Sequence, residues 1–119
     1  MRVISLAAAL TAATVFAGAS VAQDHEYYFT TTVGTFLQSC ESDDSPCLSA
    51  IAPRIEQDTI RFCVPDDHAQ AARDVLQWLR ANQSETLGGT VLANTYLARG
   101  IRDAMGNLWG EKGTACPMP

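Results

Sequence analysis

Four cysteines, Cys40, Cys47, Cys63 and Cys116, constrain this 119-residue chain more than any other feature. All four follow an N-terminal stretch that reads as an export signal. Arg2 precedes an apolar, Ala-rich run from Val3 to Ala17, and Ser20-Val21-Ala22 places small residues at the spacing of a signal-peptidase site. Residues 1–22 are therefore expected to be removed and Gln23–Pro119 to form one domain. An exported domain of that size with an even number of cysteines is expected to close two disulfides in an oxidising compartment. The cysteines are separated by six, fifteen and fifty-two residues. That spacing offers neither the close ligand pairs of a zinc site nor a Cys-x-x-Cys redox pair.

The balance of eight basic against thirteen acidic residues gives a formal charge of −5, one unit more negative once Arg2 is gone. Nucleic acid and anionic membrane surfaces both need a basic footprint, so neither is an expected partner, whereas a basic protein would suit. After cleavage no remaining stretch is long and apolar enough to hold the chain in a membrane.

Helical rather than strand periodicity runs through the rest of the chain. The first segment, about Tyr27 to Cys40, puts Phe29, Val33, Phe36, Leu37 and Cys40 on one face. The second opens at Ser45-Pro46, a favourable cap followed by a proline that loses no needed hydrogen bond, and continues through Cys47, Ile51 and Ile55. Pro53 is expected to kink it or divide it into halves. A compact apolar turn, Arg61-Phe62-Cys63-Val64-Pro65, precedes a third helix capped by Asp66 or Asp67, with a stripe of Ala69, Ala72, Val75, Leu76 and Leu79. Asn82-Gln83-Ser84 and Gly88-Gly89 mark a polar connection. A fourth helix then carries Val91, Leu92, Thr95, Tyr96, Ala98, Ile101 and Met105, and Gly106 and Gly110 release the tail.

The expected fold is all-α: a small antiparallel four-helix bundle, either kinked or with an extra short helix, stapled by two disulfides. Alternating helices would put Cys40 and Cys47 at one end and Cys63 and Cys116 at the other. Joining Cys47 to Cys63 would span a whole helix, about 20 Å at 1.5 Å per residue. The preferred pairing is Cys40–Cys47 with Cys63–Cys116, and a kink at Pro53 keeps Cys47–Cys63 with Cys40–Cys116 open.

Catalytic chemistry finds little footing. The two histidines, His25 and His68, sit at a chain terminus and in a first helical turn, and every cysteine is better used in a bridge than as a nucleophile. The acidic groups Glu41, Asp43 and Asp44, and Asp66 and Asp67, lie beside helix starts, where capping accounts for them. No cofactor or metal is expected. Asn82-Gln83-Ser84 matches a glycosylation sequon, although its residues are also common in turns. Trp78 and Trp109 are of the type enriched at binding hot spots. The reading is a binding module, not an enzyme.

The order of these features resembles the Tai/Rap immunity proteins, periplasmic inhibitors of the cell-wall amidases delivered by type VI secretion. Phe36-Leu37-Gln38-Ser39-Cys40, Cys47, Phe62-Cys63-Val64-Pro65, Val75-Leu76-Gln77-Trp78-Leu79 and Cys116 carry the resemblance. The sharpest motif is Phe62, Cys63, Val64 and Pro65 taken with the cysteine order. Leu48 to Pro53 stands where members often have a Gly-Tyr stretch. The resemblance implies a periplasmic protein that binds and sterically blocks a peptidoglycan amidase, and it implies that a second copy of the chain can also be a partner. It further implies that a protruding helix connection enters the enzyme's groove; here that connection is Gln83, Ser84, Glu85, Thr86, Leu87, Gly88, Gly89 and Thr90. The alternative is a periplasmic acid-stress or chaperone-like helical protein whose many carboxylates titrate.

Overall fold

The computed structural model describes residues 25–118; the expected signal segment, residues 1–22, lies outside them. In chain order the elements are α1 (His25–Thr30), α2 (Val33–Gln38), α3 (Ser45–Gln57), α4 (His68–Asn82), β1 (Thr86–Leu87), β2 (Thr90–Val91), a 3-10 turn (Leu92–Asn94) and α5 (Leu97–Leu108). The expected four-helix bundle is overturned. Five α-helices and a two-stranded antiparallel hairpin stand among the described residues.

Two local conflicts account for the difference. The first expected helix breaks at Thr31-Thr32, inside a run of three β-branched threonines whose side chains crowd a helical turn. Backbone groups at the break turn instead to a distant segment: Val33 N–H donates to the Thr95 carbonyl at 2.9 Å and Leu97 N–H to that of Thr31 at 2.8 Å. The Thr32 hydroxyl then caps α2 by accepting from Thr35 N–H. The break also shifts the helical phase. Phe29, expected in the core, is 42% exposed, while Tyr28 is buried and its hydroxyl donates to the Ala50 carbonyl at 2.8 Å.

The second conflict lies in the expected fourth helix. Val91 belongs to a strand and Leu92 to the 3-10 turn, so α5 starts only at Leu97 and leaves Tyr96 exposed. The residues of that segment that do bury are Leu92, Thr95, Leu97, Ala98, Gly100, Ile101, Ala104 and Met105.

Helix α3 is not divided at Pro53. Proline removes one internal hydrogen bond, but the face of Cys47, Ala50, Ile51, Arg54 and Ile55 is buried on either side of it and holds the helix together. Its cap position is Asp44, one residue before the expected Ser45. Helix α4 matches its expected span. Asp67 accepts from Gln70 N–H at 3.1 Å, and Val75, Leu76 and Leu79 are buried, with Ala71 in place of the exposed Ala69 beside Ala72. The core forms where α4 packs between α3 and α5, with α1 against α5 and α2 against the 3-10 turn.

Both disulfides close, Cys40–Cys47 between α2 and α3 and Cys63–Cys116 between the α3–α4 connection and the tail. The Phe62–Pro65 motif anchors that tail. Phe62 is buried and bridges Glu111, Cys63 N–H donates to the Gly110 carbonyl at 2.9 Å, and Lys112 N–H donates to that of Arg61 at 2.9 Å.

A tight junction lies at Gly100. A Cβ there would lie 2.4 Å from Val33 Cγ2, with Leu79 and Leu92 behind it. Val33 is fully buried and β-branched, so it cannot rotate away cheaply. Gly100→Ala is therefore expected to destabilise the fold. Overpacking costs about 1–3 kcal/mol, more than the roughly 1 kcal/mol gained in helix propensity. Urea unfolding of the variant, with a lowered midpoint at unchanged slope, checks this.

Candidate binding surface

The segment Gln83–Thr90 is the hairpin and its lead-in. Asn82 ends α4 with its side-chain amide donating to the Trp78 carbonyl at 2.8 Å, and Glu85 N–H donates to the Asn82 carbonyl at 2.9 Å. The strands then pair Thr86 with Val91 and Leu87 with Thr90. Gly88 and Gly89 have φ of 59° and 87°, the left-handed conformation at both central positions that a two-residue hairpin of the I′ class demands. Flanking Thr, Leu, Thr and Val favour the strands, so the sequence Thr86-Leu87-Gly88-Gly89-Thr90-Val91 carries a hairpin signal that the helical reading passed over.

The hairpin stands on a fixed base. Leu92 N–H donates to the Glu85 carbonyl at 2.8 Å and Ala93 N–H to the Gln83 carbonyl at 2.9 Å, while the Leu92 side chain is fully buried. Leu87 is half-buried against the core and Val91 is half-buried as well; Gln83, Ser84, Glu85, Thr86 and Thr90 are exposed. Arg99, which sequence reasoning missed, supports the turn. A Cβ at Gly88 would meet its Nη2 at 2.5 Å, so the guanidinium lies close against the turn.

At the foot of the hairpin lies a polar groove of about 520 Å³ between α2 and α4, with Gln38, Glu41, Arg80 and Gln83 on its walls and Gly34, Leu37 and Ala93 also lining it. Arg80 was likewise missed. It donates to the Cys40 carbonyl at 3.0 Å and pairs with Asp44 at 2.7 Å, tying α4 to the loop of the first disulfide. Asp43 accepts from Ser45 N–H at 3.0 Å, and Glu41 is exposed.

The remaining residues singled out from the sequence are scattered. Asp66 is exposed and Asp67 caps α4; His68 pairs with Glu56, and His25 packs its ring against Phe29. Trp78 and Trp109 are half-buried against the core. All four cysteines are bonded. Asn82 of the sequon is half-buried with its amide engaged. Arg54, 5% exposed, escaped notice altogether: its guanidinium lies 5.0 Å from the Tyr28 ring and donates to Gln57 at 3.0 Å. Burial raises the Tyr27 hydroxyl pKa; for Tyr28 burial also raises it, and nearby Arg54 partly offsets the effect.

One turn along α5 from Arg99, Asp103 Oδ2 lies 3.9 Å from Arg99 Nε and has no hydrogen-bond partner. Burial raises its pKa, partly offset by the Arg99 charge. A carboxyl whose pKa is higher folded than unfolded binds its proton more tightly in the native state. Its ionised form thus destabilises the fold above the raised pKa, and the cost fades as pH falls through that pKa. Asp103→Asn is expected to melt higher than the parent at neutral pH, with the advantage shrinking toward acid; thermal melts across pH check this.

No protein-family model, curated protein or solved structure matches the chain.

Proposed function

We propose that this chain is a periplasmic immunity protein that blocks a peptidoglycan amidase by seating its hairpin in the enzyme's cleft. The observation that carries the reading is the exposed hairpin itself. A narrow two-stranded ribbon, wider than a single extended chain yet only two residues per strand, is held on a buried base and can enter a groove without ordering itself on contact. The resemblance in the Phe62–Pro65 motif and in the cysteine order supports the identity of the target class. Inhibition is steric, with no chemistry asked of the inhibitor. The net negative charge speeds encounter with a basic enzyme more than it deepens the affinity.

Thr86→Arg and Thr90→Arg test the role of the hairpin. Both side chains are exposed, so melting temperature is expected to stay as in the parent, while affinity for the amidase falls by at least roughly tenfold. Calorimetric titration with each variant reads this, and unchanged affinity in both would remove the hairpin from the interface.

A further inference from the structure

We infer that the cleft around the Cys63–Cys116 disulfide is a site of thiol–disulfide exchange with an external dithiol. The two disulfides are unlike in access. Cys40 and Cys47 are 1% and 0% exposed, with their sulfurs against the Leu37 carbonyl at 3.6 Å and the Phe36 carbonyl at 3.4 Å. An attacking sulfur must approach nearly along the S–S axis, and no path reaches that pair. Cys63 and Cys116 are half-buried and both line an open cleft of about 480 Å³.

The cleft also suits the chemistry. Lys112 lines it too, so an ammonium shares the cleft in which a thiolate arrives and another leaves; the carboxylates of Glu56 and Asp66 lie on the same cleft, and Glu56 is engaged by His68. In the exchange, one thiolate of the dithiol attacks a sulfur of the pair. The Cys63–Cys116 bond breaks, a mixed disulfide forms, and the displaced cysteine leaves as a thiolate that takes up a proton. The second thiol of the reductant, deprotonated, then attacks the mixed disulfide. The reductant leaves as its own disulfide, and the chain holds two thiols. What yields is the tail, whose separation of 53 residues from Cys63 is then spanned only by noncovalent contacts such as Cys63 N–H to Gly110 and Lys112 N–H to Arg61. The site is independent of the hairpin and of the target proposed for it.

The full oxidised protein is exposed to dithiothreitol in native buffer, quenched with iodoacetamide over time and mapped by peptide mass spectrometry. Cys63 and Cys116 are expected to label at least roughly tenfold ahead of Cys40 and Cys47, at a rate linear in reductant and with helical circular dichroism retained. Equal labelling of the two pairs, or labelling only after the helical signal is lost, overturns the proposal. A Cys-x-x-Ser peptide should be captured as a mixed disulfide on Cys63 or Cys116, and capture on the other pair, or none, counts against it. Lys112→Glu, which sets a carboxylate beside the incoming thiolate, slows labelling of Cys63 and Cys116 severalfold without altering the other pair; an unchanged rate contradicts the part given to the cleft.

Discussion

Replacing Cys63 and Cys116 together by alanine is expected to lower the unfolding free energy by about 4 kcal/mol, more than the roughly 2.5 kcal/mol expected for the Cys40–Cys47 cross-link. The difference comes from the denatured chain. A bond across 53 residues removes far more unfolded conformations than one across seven, and the entropy saved grows with the logarithm of the loop. A domain this small has a margin of only about 5–15 kcal/mol, so the larger loss consumes a sizeable part of it. The tail contacts around Phe62, Gly110 and Lys112 are a few hydrogen bonds, weak by comparison, and cannot restore what the cross-link supplies. Urea unfolding of the double variant against the oxidised parent measures the loss. A drop below about 1 kcal/mol would mean that the denatured chain already holds its ends together.

Phe36→Ala is expected to cost about 3–5 kcal/mol, the range for deleting a buried phenyl ring. Phe36 is 1% exposed on α2, a helix of only six residues that cannot stand without tertiary packing. Its backbone carbonyl also accepts from Ser39 N–H and Oγ at the helix end, so undocking α2 disturbs the segment that leads into the first disulfide. Phe29→Ala is the control. With 42% of its surface exposed and a ring 6.0 Å from Arg54, its loss should change stability by about 1 kcal/mol or less. Comparable losses in the two variants would place the phenyl of Phe29 in the core after all and contradict the break at Thr31-Thr32.

That pair of phenylalanines shows where the sequence could be read and where it could not. Helix α4 was legible because everything it needs is local: an aspartate cap, a first turn, and an apolar stripe at helical spacing. The Cys47, Ile51 and Ile55 face of α3 was legible for the same reason. The preferred disulfide pairing was legible from the order of the elements, since Cys40 and Cys47 flank one short connection while a full helix separates Cys47 from Cys63; the undivided α3 closes the alternative that a kink at Pro53 had kept open. The break before α2 was not legible, because the backbone groups that pair with it, the Thr95 carbonyl that accepts from Val33 and the Leu97 N–H that donates to Thr31, lie more than sixty residues along the chain. Once the break occurs the phase slips by one residue, and Tyr28 takes the buried place that periodicity assigns to Phe29.

The turn within residues 83–90 was legible in position but not in form. Gly88-Gly89 marks a turn in any reading, but a helical frame on both sides absorbed Thr86, Leu87, Thr90 and Val91 into a connection and a helix start. Two-residue glycine turns between β-formers are a local signal, and the hairpin follows from it. Arg99 and Arg80 could not be found that way. Each acts on a segment distant in sequence, Arg99 under the Gly88 turn and Arg80 on Cys40 and Asp44, and nothing in their immediate neighbours sets them apart from other surface arginines.

The most direct test of the central proposal is inhibition. The mature, oxidised protein is titrated against the purified cell-wall amidase effectors of its own cell while hydrolysis of peptidoglycan is followed. One amidase is predicted to lose activity in proportion to added protein, reaching full inhibition near one equivalent. Amidases that all retain full activity in the presence of excess protein would contradict the account.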